Sequence, residues 1–250
     1  MINNYFAQVQ LIKEQSGSKY QYNKNSFFEY LFRYISLYTT PFFILIRFSP
    51  NTVSLLSLIF GILSFFSIVV GNISISILFI FFSIIVDYTD GNLARYLSKT
   101  SFFGRFIDGV IDIFVITLFR LGLCYYFFFQ NENLNVFFTF FLILVIVTTP
   151  INHFIFDRYS ALIRWSNETN KEKNVPYIRF SNNLNGKINL NLVDINYIIL
   201  FLIPFIYKTF DFVIILYLIS TFLCNAFNII LHISTASKTM KDLSNENRNR

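Results

Sequence analysis

The stretch 87–112 reads D-Y-T-D-G-N-L-A-R-Y-L-S-K-T-S-F-F-G-R-F-I-D-G-V-I-D. Four aspartates, Asp87, Asp90, Asp108 and Asp112, lie inside two long apolar runs. An ionised carboxylate at membrane depth costs at least roughly 2.5–3.5 kcal/mol on insertion scales, so four in adjacent segments need a shared purpose. Asp87 and Asp90 are three residues apart and Asp108 and Asp112 four apart, so each pair shares one helix face. Between the pairs, Leu97-Ser98-Lys99-Thr100-Ser101 reads as a turn joining two antiparallel helices. Counted outward from that turn, Asp90 and Asp108 stand about 13 Å up their helices, and Asp87 and Asp112 about 19 Å. The two pairs reach matching depths and converge on one cavity. Converging carboxylates repel unless a cation lies among them, and an all-oxygen set favours a hard divalent ion, Mg²⁺ or Mn²⁺. Gly91 and Ala94 share the face of Asp87, and Gly104 precedes Asp108 by four. Small side chains there let a ligand or a facing helix approach closely. A tightly packed hairpin would account for the glycines but not for the four acids.

The flanking chain sets the environment. Of 250 residues, 54% are hydrophobic and 20% aromatic, with 34 Phe, and the mean hydropathy is +0.53. That composition excludes an ordinary soluble domain and indicates one polytopic membrane domain. The net charge of +6 is therefore a topology signal before it is a nucleic-acid signal, and no nucleic-acid partner is expected. Cys124 and Cys224 lie in apolar runs without C-x-x-C spacing, which reads as packing rather than a disulfide or zinc site.

The fold class expected is an all-α integral membrane protein, six transmembrane helices preceded by an interfacial amphipathic helix. Residues 1–25 are polar and read as a flexible cytoplasmic arm. Residues 26–48 form the juxtamembrane amphipathic helix, with Phe28, Leu31, Phe32 and Ile35 on one face and Glu29, Arg33 and Ser36 on another. Pro41 is expected to break it. Residues 49–235 hold the six spans, at about 51–70, 73–97, 102–129, 136–159, 195–207 and 212–234. The first opens with Ser49-Pro50-Asn51, normal helix-start chemistry. The apolar part of the second ends at Val86, too short alone for the roughly 20 residues a span needs, so the acidic stretch lies partly at membrane depth. Arg120 is expected to snorkel toward the outer surface, and Pro204 to kink the fifth span. Residues 160–194 read as a solvated loop. Thr221, Asn225, Asn228 and His232 form one polar stripe that should face the bundle. Residues 236–250 read as a disordered basic tail.

Alternate connections carry the basic residues: Lys24, Arg33 and Arg47, then Lys99, then Arg164 through Lys187, then Lys238 onward. The other connections carry only Lys208. Positive residues stay cytoplasmic, so both termini and the turn at Lys99 are placed there. The localisation expected is a multi-pass protein of a bacterial inner (cell) membrane, with its acidic site facing the cytoplasm.

The stretch resembles the signature of the CDP-alcohol phosphotransferase (CDP-alcohol phosphatidyltransferase) family, D-x2-D-G-x2-A-R-x8-G-x3-D-x3-D. Asp87, Asp90, Gly91, Ala94, Arg95, Gly104, Asp108 and Asp112 fill every fixed position. The resemblance implies a six-helix membrane enzyme that moves a substituted phosphoryl group from a CDP-alcohol donor to an acceptor hydroxyl and releases CMP, in phospholipid biosynthesis. It also implies the roles. Asp87, Asp90 and Asp108 chiefly bind metal and pyrophosphate, with Gly91, Ala94, Arg95 and Gly104 completing the nucleotide site. Asp112 is the general base and a fourth acid at the metal. Basic residues near the end of the fourth span contact acceptor phosphate in some relatives, and Arg158 and Arg164 are the candidates here. Such folds often form homodimers. Two departures bear on the acceptor: Ser57 stands where phosphatidylglycerophosphate synthases usually carry Arg, and Ile113 where some lipid-making relatives carry a basic residue.

Two rival classes make different predictions. A metal-ion or proton-coupled transporter also lines its pathway with intramembrane acids, but would carry an inverted internal repeat, and none is visible. A catalytically dead interaction protein would show an altered motif aspartate, and none is altered.

Overall fold

A computed structural model describes residues 2–16, 27–130, 135–169, 192–205 and 210–248. All regular structure among them is helical: α1 (Ile2–Ser16), α2 (Phe27–Leu45), α3 (Pro50–Val69), α4 (Ile73–Tyr96), α5 (Phe102–Gln130), α6 (Val136–Thr169), α7 (Leu192–Tyr197) and α8 (Phe210–Arg248). Four of these are long and apolar enough to cross a membrane: Pro50–Val69, Ile73–Tyr96, Val136–Trp165 and Phe210–Lys238.

The first departure from expectation is α1. Residues 2–16 of the predicted flexible arm are helical, because Tyr5, Val9, Ile12 and Ser16 share one stripe at helical spacing. Val9 and Ile12 bury this stripe against Leu37 of α2, flanked by Tyr96 of α4. The remainder of the arm, 17–25, lies outside the described residues. Helix α2 buries Phe28 and Phe32 as expected, but it runs through Pro41 to Leu45, with Pro41 itself buried. Ser36, assigned by sequence to the polar face, is fully buried because it receives a hydrogen bond from Asn92 Nδ2 at 2.9 Å. The first backbone N–H groups of α2, at Phe27 and Phe28, donate to the Asp194 carboxylate at 3.2 and 3.0 Å. Orphan amides at a helix start favour an anion there, so the buried Asp194 fastens α2 to α7.

Helices α3 and α4 are joined by a tight turn at Gly71, whose φ of 88° suits glycine. Ser49 caps α3, accepting from the Thr52 amide at 3.2 Å. A row of serines closes the pair. Ser57 and Ser83 exchange bonds to each other's carbonyls at 3.1 and 2.9 Å, and Ser64 Oγ donates to the Ser76 carbonyl at 2.9 Å. Small hydroxyl side chains permit close backbone approach and satisfy one another where water is absent. Helix α5 packs on the other side of α3. A Cβ on Gly61 would stand 2.6 Å from Val115 Cγ2, so this contact requires the missing side chain.

The second half packs α6 against α8 through the predicted polar stripe. Thr221, Asn225 and His232 are buried. Asn225 Nδ2 donates to Thr149 Oγ1 at 3.3 Å, and Asn152 Nδ2 donates to Asn225 Oδ1 at 3.3 Å. Arg120 corrects the sequence reading. It is only 6% exposed, and its Nη1 donates to Thr149 Oγ1 at 2.7 Å. A polar partner on α6 holds it inward, so it does not snorkel.

Three boundaries also move. Helix α6 continues through residues 160–169, expected as loop, to Thr169; residues 170–191 lie outside the described set. Helix α8 continues through the predicted disordered tail to Arg248. No Gly or Pro interrupts 236–248, and propagating a formed helix adds one bond per residue fixed. Helix α7 passes into a π-helix at Ile198–Leu202 and a 3₁₀ turn at Ile203–Phe205. Pro204 lacks the N–H that α-helical pairing needs, and the backbone changes its hydrogen-bonding pattern there.

Candidate active site

The acidic stretch folds as the tail of α4, a turn, and the head of α5. Ser98 takes a left-handed φ of 52°, while the Lys99 amide returns to the Ala94 carbonyl at 2.9 Å and closes the end of α4. Helix α3 packs along both arms, so the acids of α4 and α5 face each other over it rather than across a tight hairpin.

The four carboxylates meet at two levels, as the depth count predicts. Asp90 lies against Asp108, and Asp87 within hydrogen-bonding reach of Asp112. Asp87, Asp90 and Asp108 each bring one carboxylate oxygen within 4.8 Å of the others. Asp90 is buried, Asp87 and Asp108 half-buried, and Asp112 exposed. Asp112 is not part of the gathered triple. Ser54 of α3 donates to Asp90 Oδ2, which fixes that carboxylate. Asp87 Oδ1 is buried without a hydrogen-bond partner. Three carboxylate oxygens gathered within 4.8 Å fit a hard divalent cation, whose ligands are oxygen. No other charge arrangement among the described residues offers such a site.

Above the triple lies a cavity of about 530 Å³. Six of the eight motif residues line it: Asp90, Gly91, Ala94, Arg95, Gly104 and Asp108. Asp87 and Asp112 do not. Its rim carries Lys99 and Arg105, and its other wall Pro50, Asn51 and Ser54. Gly104 donates its amide to Ser101 Oγ at 2.9 Å, and a Cβ there would stand 3.0 Å from the same oxygen. The glycine therefore lets the head of α5 close on the turn. Acids at the floor and three cationic side chains, Arg95, Lys99 and Arg105, at the walls suit a ligand rich in phosphate that arrives with a metal ion.

Sequence reasoning passed over part of this site. Lys99 was read only as a topology marker, although its place in the turn puts it on the rim. Arg158 and Arg164, the acceptor-phosphate candidates, are exposed on α6 and stand outside the cavity lining. Arg158 instead lies over the Phe154 ring, 5.0 Å from its centroid. His153 and Asp157, four apart on α6, are joined by no hydrogen bond among the described residues.

No characterised protein matches the chain at significant similarity. A family model described as CDP-alcohol phosphatidyltransferase matches residues 47–237. That span begins just after α2, runs into α8 and includes every cavity-lining residue named above. Membership implies transfer of a phosphate-linked group from a CDP-alcohol, and the chain belongs to the CDP-alcohol phosphatidyltransferase family.

Proposed function

We propose that this chain is a divalent-metal-dependent phosphotransferase that passes the alcohol phosphate of a CDP-alcohol to an acceptor hydroxyl in phospholipid synthesis. The observation that carries the reading is the gathering of Asp87, Asp90 and Asp108 within 4.8 Å beneath a cavity walled by cations. Asp87, Asp90 and Asp108 would hold Mg²⁺ or Mn²⁺, with Asp112 adjoining. When bound there, such an ion would supply charge neutralisation at the pyrophosphate and at the CMP leaving group. Arg95, Lys99 and Arg105 bind and orient the diphosphate, while Ser54 keeps Asp90 turned to the floor. Asp112, open beside Asp87, accepts the proton of the acceptor hydroxyl. The hydroxyl oxygen forms a new ester bond to the β-phosphorus as the phosphoanhydride bond to CMP breaks, and the CMP phosphate keeps that electron pair.

Helix α5 adds a span to the four apolar helices, and α2 lies at the membrane interface. The expected span at 195–207 coincides with α7 and the π and 3₁₀ turns after it, which end at Phe205 and are short for a crossing. Helix α5 is 29 residues long, ample for the roughly 20 a span requires. The basic residues at Lys99 and along 238–250 support a cytoplasmic side for the cavity mouth and the C-terminus, where nucleotide is supplied. A membrane-impermeant thiol reagent should reach Lys99→Cys only from the cytoplasmic side and Asn135→Cys only from the opposite one. Labelling of both from one side contradicts this topology.

The reaction is tested with the purified protein in nanodiscs, offered a panel of CDP-alcohols and hydroxyl acceptors with Mg²⁺. One pairing should release CMP in step with a new phosphodiester seen by mass spectrometry. CMP release without a phosphodiester product from any pairing would contradict transfer.

A further inference from the structure

Helix α1 lies wholly before the span 47–237 that defines family membership, yet it reaches the cavity wall. Its buried stripe of Val9 and Ile12 docks beside Leu37 and Tyr96, and Tyr5 Oη donates to the Tyr38 carbonyl at 2.5 Å. The stripe ends on Ser16, which is 6% exposed. Ser16 Oγ accepts from Arg95 Nε at 3.2 Å. The same guanidinium donates through Nη2 to Asn92 Oδ1 at 2.7 Å. Asn92, almost fully buried, is held in turn by its bond to Ser36 of α2. Arg95 is thus oriented jointly by α1, α2 and its own helix, and it lines the cavity beside Gly91. A guanidinium fixed before its anion arrives loses less freedom on binding than a mobile one, and its planar fork rewards correct aim.

We infer that α1 is a working part of the nucleotide pocket, with Ser16 a positioning residue that aims the Arg95 guanidinium at the diphosphate. This rests on the reading of the cavity as a CDP-alcohol site. It assigns the pocket an element that the family span does not contain.

The probe is CDP with Mg²⁺, titrated calorimetrically into the full chain in nanodiscs. Ser16→Ala removes the oxygen that Arg95 donates to, and should weaken CDP binding on the order of 3–10-fold, the range of one lost hydrogen bond. Ser16→Thr keeps the hydroxyl and should restore affinity. Ile12→Ser loosens the docking of α1 and should weaken CDP binding similarly, whereas Lys13→Ala, on the exposed face, should not. In turnover the Ser16→Ala loss should fall on the donor KM, with kcat within about twofold and the melting temperature unchanged. Equal CDP affinity for Ser16→Ala and the unaltered chain overturns the inference alone. So does a Ser16→Thr variant as weak as Ser16→Ala. Failure of the unaltered chain to bind CDP at all overturns it together with the functional reading beneath it.

Discussion

Replacing Asp112 by Asn is expected to slow turnover on the order of 10²–10⁴-fold, the usual contribution of a positioned general base, while CDP affinity in Mg²⁺ hardly changes. The substitution keeps the size and one oxygen of the side chain but removes the proton acceptor. Two features of the site separate Asp112 from its neighbours. It stands outside the triple of gathered oxygens, and it is the exposed member of the four. Asp90, by contrast, is buried and held by Ser54. The measurement is single-turnover CMP release beside CDP binding, so that the chemical step and nucleotide affinity are read separately. A loss confined to CDP affinity would remove Asp112 from the proton-transfer role.

Removing the divalent ion is expected to abolish CMP release, and returning Mg²⁺ or Mn²⁺ to restore it. The floor of the cavity holds Asp90 and Asp108, with Asp87 just beneath, and the diphosphate of a CDP-alcohol adds further negative charge. Arg95, Lys99 and Arg105 alone do not bring that much anion together in a partly buried site, because like charges at this range repel strongly when water is scarce. Undiminished CMP release in excess chelator would show that the clustered acids serve some other purpose. Within the cluster, Asp90→Asn should act as a milder form of the same change. It removes one charged ligand from a hard cation and leaves the proton acceptor in place, so metal-dependent CDP binding weakens before chemistry does.

Much of this site was legible in the sequence because the signals were costly ones. Four carboxylates in apolar runs have no inexpensive explanation, and their spacing alone set Asp90 opposite Asp108 and Asp87 opposite Asp112. The long apolar helices were equally plain, since few sequences other than membrane spans tolerate such runs. What escaped notice depends on which helix lies beside which. The row Ser54, Ser57 and Ser64 reads as three weakly polar residues until α4 supplies Asp90, Ser83 and Ser76 to meet them. Arg120 looked stranded because its partner, Thr149, is 29 residues away on α6. The stripe through Tyr5, Val9, Ile12 and Ser16 was present all along, but Asn, Gln and Lys around it lowered the local hydropathy and hid the period. Lys99 was counted as a charge on a loop, and only the fold of the turn turns it into a wall of the cavity.

Asp87, Asp90 and Asp108 are expected to bind nucleotide through a metal ion while Asp112 serves chemistry. Titration of Mg²⁺ against CDP binding, carried out on the unaltered chain, Asp90→Asn and Asp112→Asn, separates these roles. Binding should rise saturably with Mg²⁺ in the unaltered chain, require higher Mg²⁺ in Asp90→Asn, and overlay the unaltered curve in Asp112→Asn. CDP binding that ignores Mg²⁺ would contradict a metal-held nucleotide. An Asp112→Asn variant that loses CDP binding while Asp90→Asn binds normally would contradict the division of roles.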